Sequence, residues 1–144
     1  MEIVAYLLCA LLYGALSVYF WRTRWAAVEP HASSSPLTPA IEHALLLAPL
    51  TLHSVLLAHT LFAGDGLHLG LGNAVSAILW LTVLIYWSGN FIYRLEGLQA
   101  LVLPLAAVAV LLQGLIPSAP ALPNTESVAF KFHLLIAMLA YSLL

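Results

Sequence analysis

The amino-acid sequence predicts an all-α protein, a polytopic transmembrane helix bundle with four complete spans and the start of a fifth, in one domain over residues 1–144. Two observations lead there. Hydrophobic residues make up 63% of the chain and charged ones 7%, more apolar surface than a water-soluble domain of this size can hide behind a polar exterior. The apolar residues also gather into five runs, approximately 3–21, 40–62, 73–93, 98–116 and 128–144, separated by polar, proline-bearing or glycine-bearing segments. A net charge of −2 with four basic residues gives no electrostatic footprint for nucleic acid. That class of partner is excluded, and the lipid bilayer takes its place.

The first run, Ile3 to Trp21, carries no charge and has the ~20 residues that a helix needs to cross ~30 Å of hydrocarbon. A cleaved signal peptide has basic residues before its apolar run. Here Glu2 precedes and Arg22 and Arg24 follow, so the segment reads as an uncleaved anchor. Trp21 and Trp25 flank those arginines as an interfacial belt. Residues 26–39, with three serines and three prolines, form a solvated loop. Pro39 then stands at the start of the second helix, where its missing N–H costs nothing.

The second run holds Glu42 and His43 at its start, Pro49 within it and His53 four residues later. A glycine-punctuated turn with Asp65 and His68 leads into the third run, for which Asn73 is a candidate cap. Gly64, Gly66, Gly70 and Gly72 lack the Gly-Lys-Ser/Thr ending of a phosphate loop. Their expected role is close helix approach. Trp80 and Trp87 lie within the third span, and Arg94 and Glu96 close it. Pro104 and Gln113 mark the two ends of the fourth span, and the proline-rich stretch 117–123 forces an extended connection.

Arg22, Arg24 and Arg94 fall on one side of these spans and Lys131 on the other. By the positive-inside rule the N-terminus, Asp65, His68 and the 117–127 loop are outside. The fifth run reaches Leu144 without a flanking charge or a cap. The chain is therefore expected to be the N-terminal fragment of a longer bundle, or to have a short last helix.

Six histidines beside only ten acidic and basic residues are the most informative bias. Ionisable groups within a bilayer face the bundle interior and mark sites or pathways. A neutral imidazole can bind iron, relay a proton or hydrogen-bond across helices. His53, near mid-membrane, is a candidate axial ligand or relay, with an interhelical hydrogen bond as the structural alternative. His59 lies roughly 240° further around the helix, so the two do not form an i, i+4 metal pair. His43 and His31 read as interfacial or solvated. His68 either meets water or closes over a bound cofactor. His133, two residues from Lys131 at the outer start of the last helix, can face an external pocket. Cys9 stands alone inside the first run and reads as a packing residue. Asp65 has no neighbouring carboxylate or nucleophile in sequence, so no hydrolytic constellation assembles.

Two passages carry a family resemblance. LGLGNAVSAILWLTVLIYW, Leu69 to Trp87, resembles the third-span region of the cytochrome c assembly protein family, particularly its shorter HemX-like and YpjD-like inner-membrane members. FKFHLLIAMLAYSLL, Phe130 to Leu144, resembles that family's histidine-bearing helix, with its H-x-x-x-A-x-x-x-Y-S/A pattern. The resemblance implies a bundle that handles haem at the outer face of a bacterial inner membrane and passes it to apocytochrome c or to other haem-pathway membrane proteins. It matches His133 to an external ligand histidine and His53 to the histidine of an early span; His68 completes the candidate cofactor-binding set. No tryptophan-rich W-G-x-x-W-x-W-D segment occurs among Trp21, Trp25, Trp80 and Trp87. It is expected either beyond Leu144 or in degenerate form.

The function expected is therefore haem handling for cytochrome c biogenesis, in a protein that holds the porphyrin and is not itself an enzyme. Two alternatives stay open. One is a divalent-cation or proton transporter using the histidines and Glu42; the other is a membrane scaffold or regulator of haem synthesis acting through helix contacts at Gly70 and Gly72.

Overall fold

In the computed structural model, which describes residues 2–25, 37–62, 67–93, 97–117, 120 and 127–143, the described segments are built from helices and turns. Helix α1 covers Glu2–Phe20 and continues into a wider, π-type turn at Trp21–Trp25. Helices α2 (Pro39–Leu61), α3 (Leu71–Gly89), α4 (Gln99–Leu115) and α5 (Val128–Ser142) follow. Three segments are long and apolar enough to cross a membrane, 3–24, 39–61 and 71–89. Of the four complete spans expected, the fourth is the shortest: α4 has 17 residues, roughly 25 Å at ~1.5 Å per residue against ~30 Å of hydrocarbon. Its limits have local causes. Gly97 turns the chain at φ 106°, a left-handed conformation cheap only for glycine. Ile116 is extended before Pro117, as a residue preceding proline is constrained to be.

The third span is also shorter than the sequence suggests. It ends at Gly89 rather than near Tyr93, and Ile92 and Tyr93 donate their N–H groups to the Gly89 carbonyl in a terminal turn. Its start lies at Leu71, with Gly70 as the residue before the first turn, so Asn73 is not the cap. Asn73 is inside the helix, where its side-chain amide donates backwards to the His68 carbonyl at 2.7 Å. Pro39 occupies the first turn of α2, and Pro49 lies within that helix without ending it.

Packing follows the chain order. Helix α1 packs on α2 and α4, and α3 packs on α2 and α4, closing a ring of four antiparallel helices. The core between them is formed by Tyr6, Tyr13, Phe20, Leu46, Leu50, Val83, Leu103 and Val110, with Cys9 buried among them. Cys9 Sγ points its weak donor at the Pro49 carbonyl, 3.5 Å away, a packing role for the thiol. Outside the ring, Leu7, Leu11, Val55, Leu101 and Val108 are exposed. These outward apolar stripes suit a surround of hydrocarbon, and the chain is a membrane protein by the length and composition of its helices.

Small residues set how closely the ring closes. A Cβ at Gly72 would stand 3.2 Å from the Leu112 carbonyl oxygen and 3.3 Å from Gln113 Cα, so this glycine brings α3 against the backbone of α4. At Gly114 a Cβ would lie 2.9 Å from Tyr6 Cγ, making it the seat for a ring from α1. Gly64 and Gly66 are outside the described residues. Helix α5 differs from the others in kind: it rests on α3 and has no buried residue.

Candidate functional site

Polar groups collect in three places: mid-bundle, the end where α3 and α5 begin, and the opposite end where α2 and α4 begin.

At mid-bundle His53 is completely buried. Its Nε2 lies 2.7 Å from Ser76 Oγ on α3, and Ser76 in turn donates to Gln113 Oε1 on α4 at 2.6 Å. Because Ser76 spends its one proton on the amide oxygen, the Nε2–H of His53 must be the donor to Ser76, which fixes the neutral tautomer. The Nδ1 lone pair then faces the Tyr13 hydroxyl of α1, 3.4 Å away, with the phenol ring edge-on to the imidazole. Gln113 Nε2 donates onward to Thr60 Oγ1 at 2.7 Å, and Thr60 donates to carbonyls of its own helix. One directional chain thus links all four helices of the ring. Beside it Trp80 Nε1 donates to Ser54 Oγ at 2.8 Å. Both ring nitrogens of His53 are engaged and its surface is closed, so in this arrangement it offers no position for an iron atom. Chemically the network can lock helices in register.

The second place is built from the start of α3. The His68 backbone N–H donates to Leu61 O at 3.0 Å, and its carbonyl accepts from Asn73, so the chain is pinned on both sides of a half-buried imidazole. His68 Nδ1 is buried and has no hydrogen-bond partner among the described residues. Helices α3 and α5 run parallel in the alternating topology and pack together. Thr82 Oγ1 donates to the Ser142 carbonyl at 3.3 Å, which sets their register. Counting back equally along each helix from that bond at ~1.5 Å per residue, His133 comes level with Asn73, the residue that holds His68. His133 is exposed at this level. By that count His68 and His133 lie toward one end of the bundle, and His53, bonded to Ser76, is on α2 about one helical turn deeper.

The remaining histidines sort simply. His59 is exposed on the side of α2 turned from His53, and it has an interaction partner. His31 and Asp65 lie outside the described residues. Among the described residues no group of three or more His, Cys, Asp or Glu side chains converges as a metal centre.

The third place is a cavity of about 710 Å³. Glu42, 4% exposed, forms an ion pair with Arg24 Nη2 at 2.8 Å and accepts from the Tyr19 hydroxyl at 3.2 Å. His43 Nδ1 donates to Pro39 O at 2.8 Å, and Nε2 accepts from Asn90 Nδ2 at 3.0 Å. Trp87 Nε1 donates to the His43 carbonyl, and the Phe91 ring packs against both the His43 and Trp87 rings. Gln99 completes the wall from α4.

Sequence reasoning singled out the histidines and overlooked their partners. Tyr6, Tyr13 and Phe20 recur on one face of α1, and Gln99 and Gln113 are ~4 turns apart on α4, hence on one inward face. Polar residues at that helical spacing within apolar runs are the signal that would have located both polar networks. Compared with known protein families, curated proteins and solved structures, the chain matches none.

Proposed function

We propose that the protein is a haem-handling bundle of the cytochrome c assembly type in a bacterial inner membrane, spanning it four times in the ring with its N-terminus outside. The reading rests on the resemblance of its third and fifth helices to that family. The observation that carries it further is the sorting of the histidines. His43 and His53 have both ring nitrogens hydrogen-bonded within the protein, whereas His133 is exposed and His68, toward the same end, has a buried Nδ1 with no hydrogen-bond partner among the described residues, which a small opening of its turn would uncover. A ligand to iron needs a ring nitrogen with an available lone pair.

His133 and His68 are accordingly the imidazoles that would hold haem iron, and the bound porphyrin would supply the redox-active centre delivered to an acceptor. His53 acts at a distance, as a positioning residue that fixes α2 against α3 and hence the turn that bears His68. The protein is tested by purification from haem-replete membranes. A Soret band is expected that His133→Ala and His68→Ala each diminish, with His53→Ala acting on stability first. The proposal fails if the wild-type protein takes up no haem, or if both variants load as the wild type does.

A further inference from the structure

The cavity at the Arg24 end is not used by that function, since it lies at the opposite end of the ring from His68 and His133. Its lining poses a chemical question of its own. Gln99 is 2% exposed, lines the cavity, and its Oε1 has no hydrogen-bond partner among the described residues. A buried carbonyl oxygen left without a donor is a rare and costly arrangement. Three nearby protons are already spent: the His43 Nδ1 proton on Pro39, the Trp87 indole proton on the His43 carbonyl, and one Asn90 Nδ2 proton on His43 Nε2.

The rest of the wall fits the same kind of guest. Glu42 contributes a buried carboxylate, and the cation beside it, Arg24, is neutralised by the ion pair. Trp87 and Phe91 add aromatic surface, which attracts cations. The open amide acceptor of Gln99, the Glu42 carboxylate and two π-systems, beside an arginine already paired, are complementary to a cation that donates hydrogen bonds. The position decides where such a cation comes from. The cavity opens at the ends of apolar helices, beside the arginine and tryptophan residues that settle at headgroup depth, and Ala44 and Leu47 extend its apolar wall deeper along α2.

We propose that this cavity is a binding site for an aminophospholipid, with the primary ammonium of the headgroup donating to Gln99 Oε1 and facing Glu42, and an acyl chain lying along α2. Native mass spectrometry of the intact protein in detergent supplies the test, with phosphatidylethanolamine, phosphatidylcholine and phosphatidylglycerol of identical chains offered in turn. Phosphatidylethanolamine should be retained in preference to both others; phosphatidylcholine carries the charge but no N–H to donate. Gln99→Leu should weaken that retention about tenfold, the loss of one charge-assisted hydrogen bond, and Gln99→Glu should preserve it. Thermal melting of each variant distinguishes a lost site from a lost fold, and the wild-type lipid ranking decides the question if Gln99→Leu does not fold. Equal retention of the three lipids, unchanged selectivity in a folded Gln99→Leu protein, or displacement by free ethanolamine at concentrations equal to the lipid would overturn the proposal.

Discussion

Replacing Ser76 by Ala perturbs the bundle at one atom that serves two helices at once. Ser76 Oγ receives the proton of His53 Nε2 and gives its own to Gln113 Oε1, at 2.7 and 2.6 Å. Without the hydroxyl, a buried imidazole N–H and a buried amide oxygen both lose their partner, and alanine leaves no room for either to find a new one without movement of the helix. Interhelical hydrogen bonds in membrane proteins are worth ~0.6 kcal/mol on average and up to ~1.7, while an orphaned buried polar group costs about 1–3 kcal/mol. Two shortened bonds in a closed core place the loss at about 2–3 kcal/mol. The control is Thr51→Ala: that hydroxyl is exposed and bonds only carbonyls of its own helix, so the change should lie within about 0.5 kcal/mol of wild type. Reversible unfolding in mixed micelles measures both. In a double-mutant cycle with Gln113→Leu, a coupling energy of about 1 kcal/mol is expected for groups in one network. If Ser76→Ala matches Thr51→Ala in stability, the chain of bonds from Tyr13 to Thr60 does not hold the ring together.

Other perturbations act through sterics and charge. Gly114→Ala drives a methyl to within 2.9 Å of Tyr6 Cγ, an overpacking cost of about 1–3 kcal/mol, and Tyr6→Leu in the same chain should recover part of it in a melting experiment. Glu42→Ala leaves Arg24 without its carboxylate. Because that arginine reaches the surface, the loss should be about 1–2 kcal/mol, less than for a fully buried pair, and Glu42→Gln, which keeps an acceptor for Tyr19, should lose less in denaturant titrations. Gly72→Leu should separate α3 from α4 and lower the melting temperature more than Leu71→Ala, whose side chain is exposed.

The helical class and the positions of the five helices were legible because an apolar run long enough to cross a bilayer needs no tertiary information to recognise. Their ends were less so. Tyr93 belongs to an apolar run by composition, yet the helix stops at Gly89 because Gly and Asn at 89 and 90 are weak helix formers and the next N–H groups turn back on the Gly89 carbonyl. Asn73 has the chemistry of a cap, but an amide can also donate, and the carbonyl of His68 claimed it. The depth of His53 was readable from spacing; its bonds to Tyr13 and Ser76 were not, since they depend on which helices become neighbours. The polar cavity was hidden for the same reason. Glu42, Trp87 and Gln99 come from three helices, and only the closed ring makes them one wall.

Helix α5 gives the bundle two mechanical classes of histidine. His53 is set in a frame whose four members are tied through one chain of hydrogen bonds, so moving it means dismantling that frame. His133 is carried on a helix that leans chiefly on α3 and buries none of its residues, with the Thr82 hydroxyl to the Ser142 carbonyl as a bond that sets its height. Sliding or rotating α5 costs chiefly its contacts with α3 and breaks none of the hydrogen bonds from Tyr13 to Thr60. An imidazole borne on such an arm can change its distance from a partner while the scaffold behind it keeps its shape.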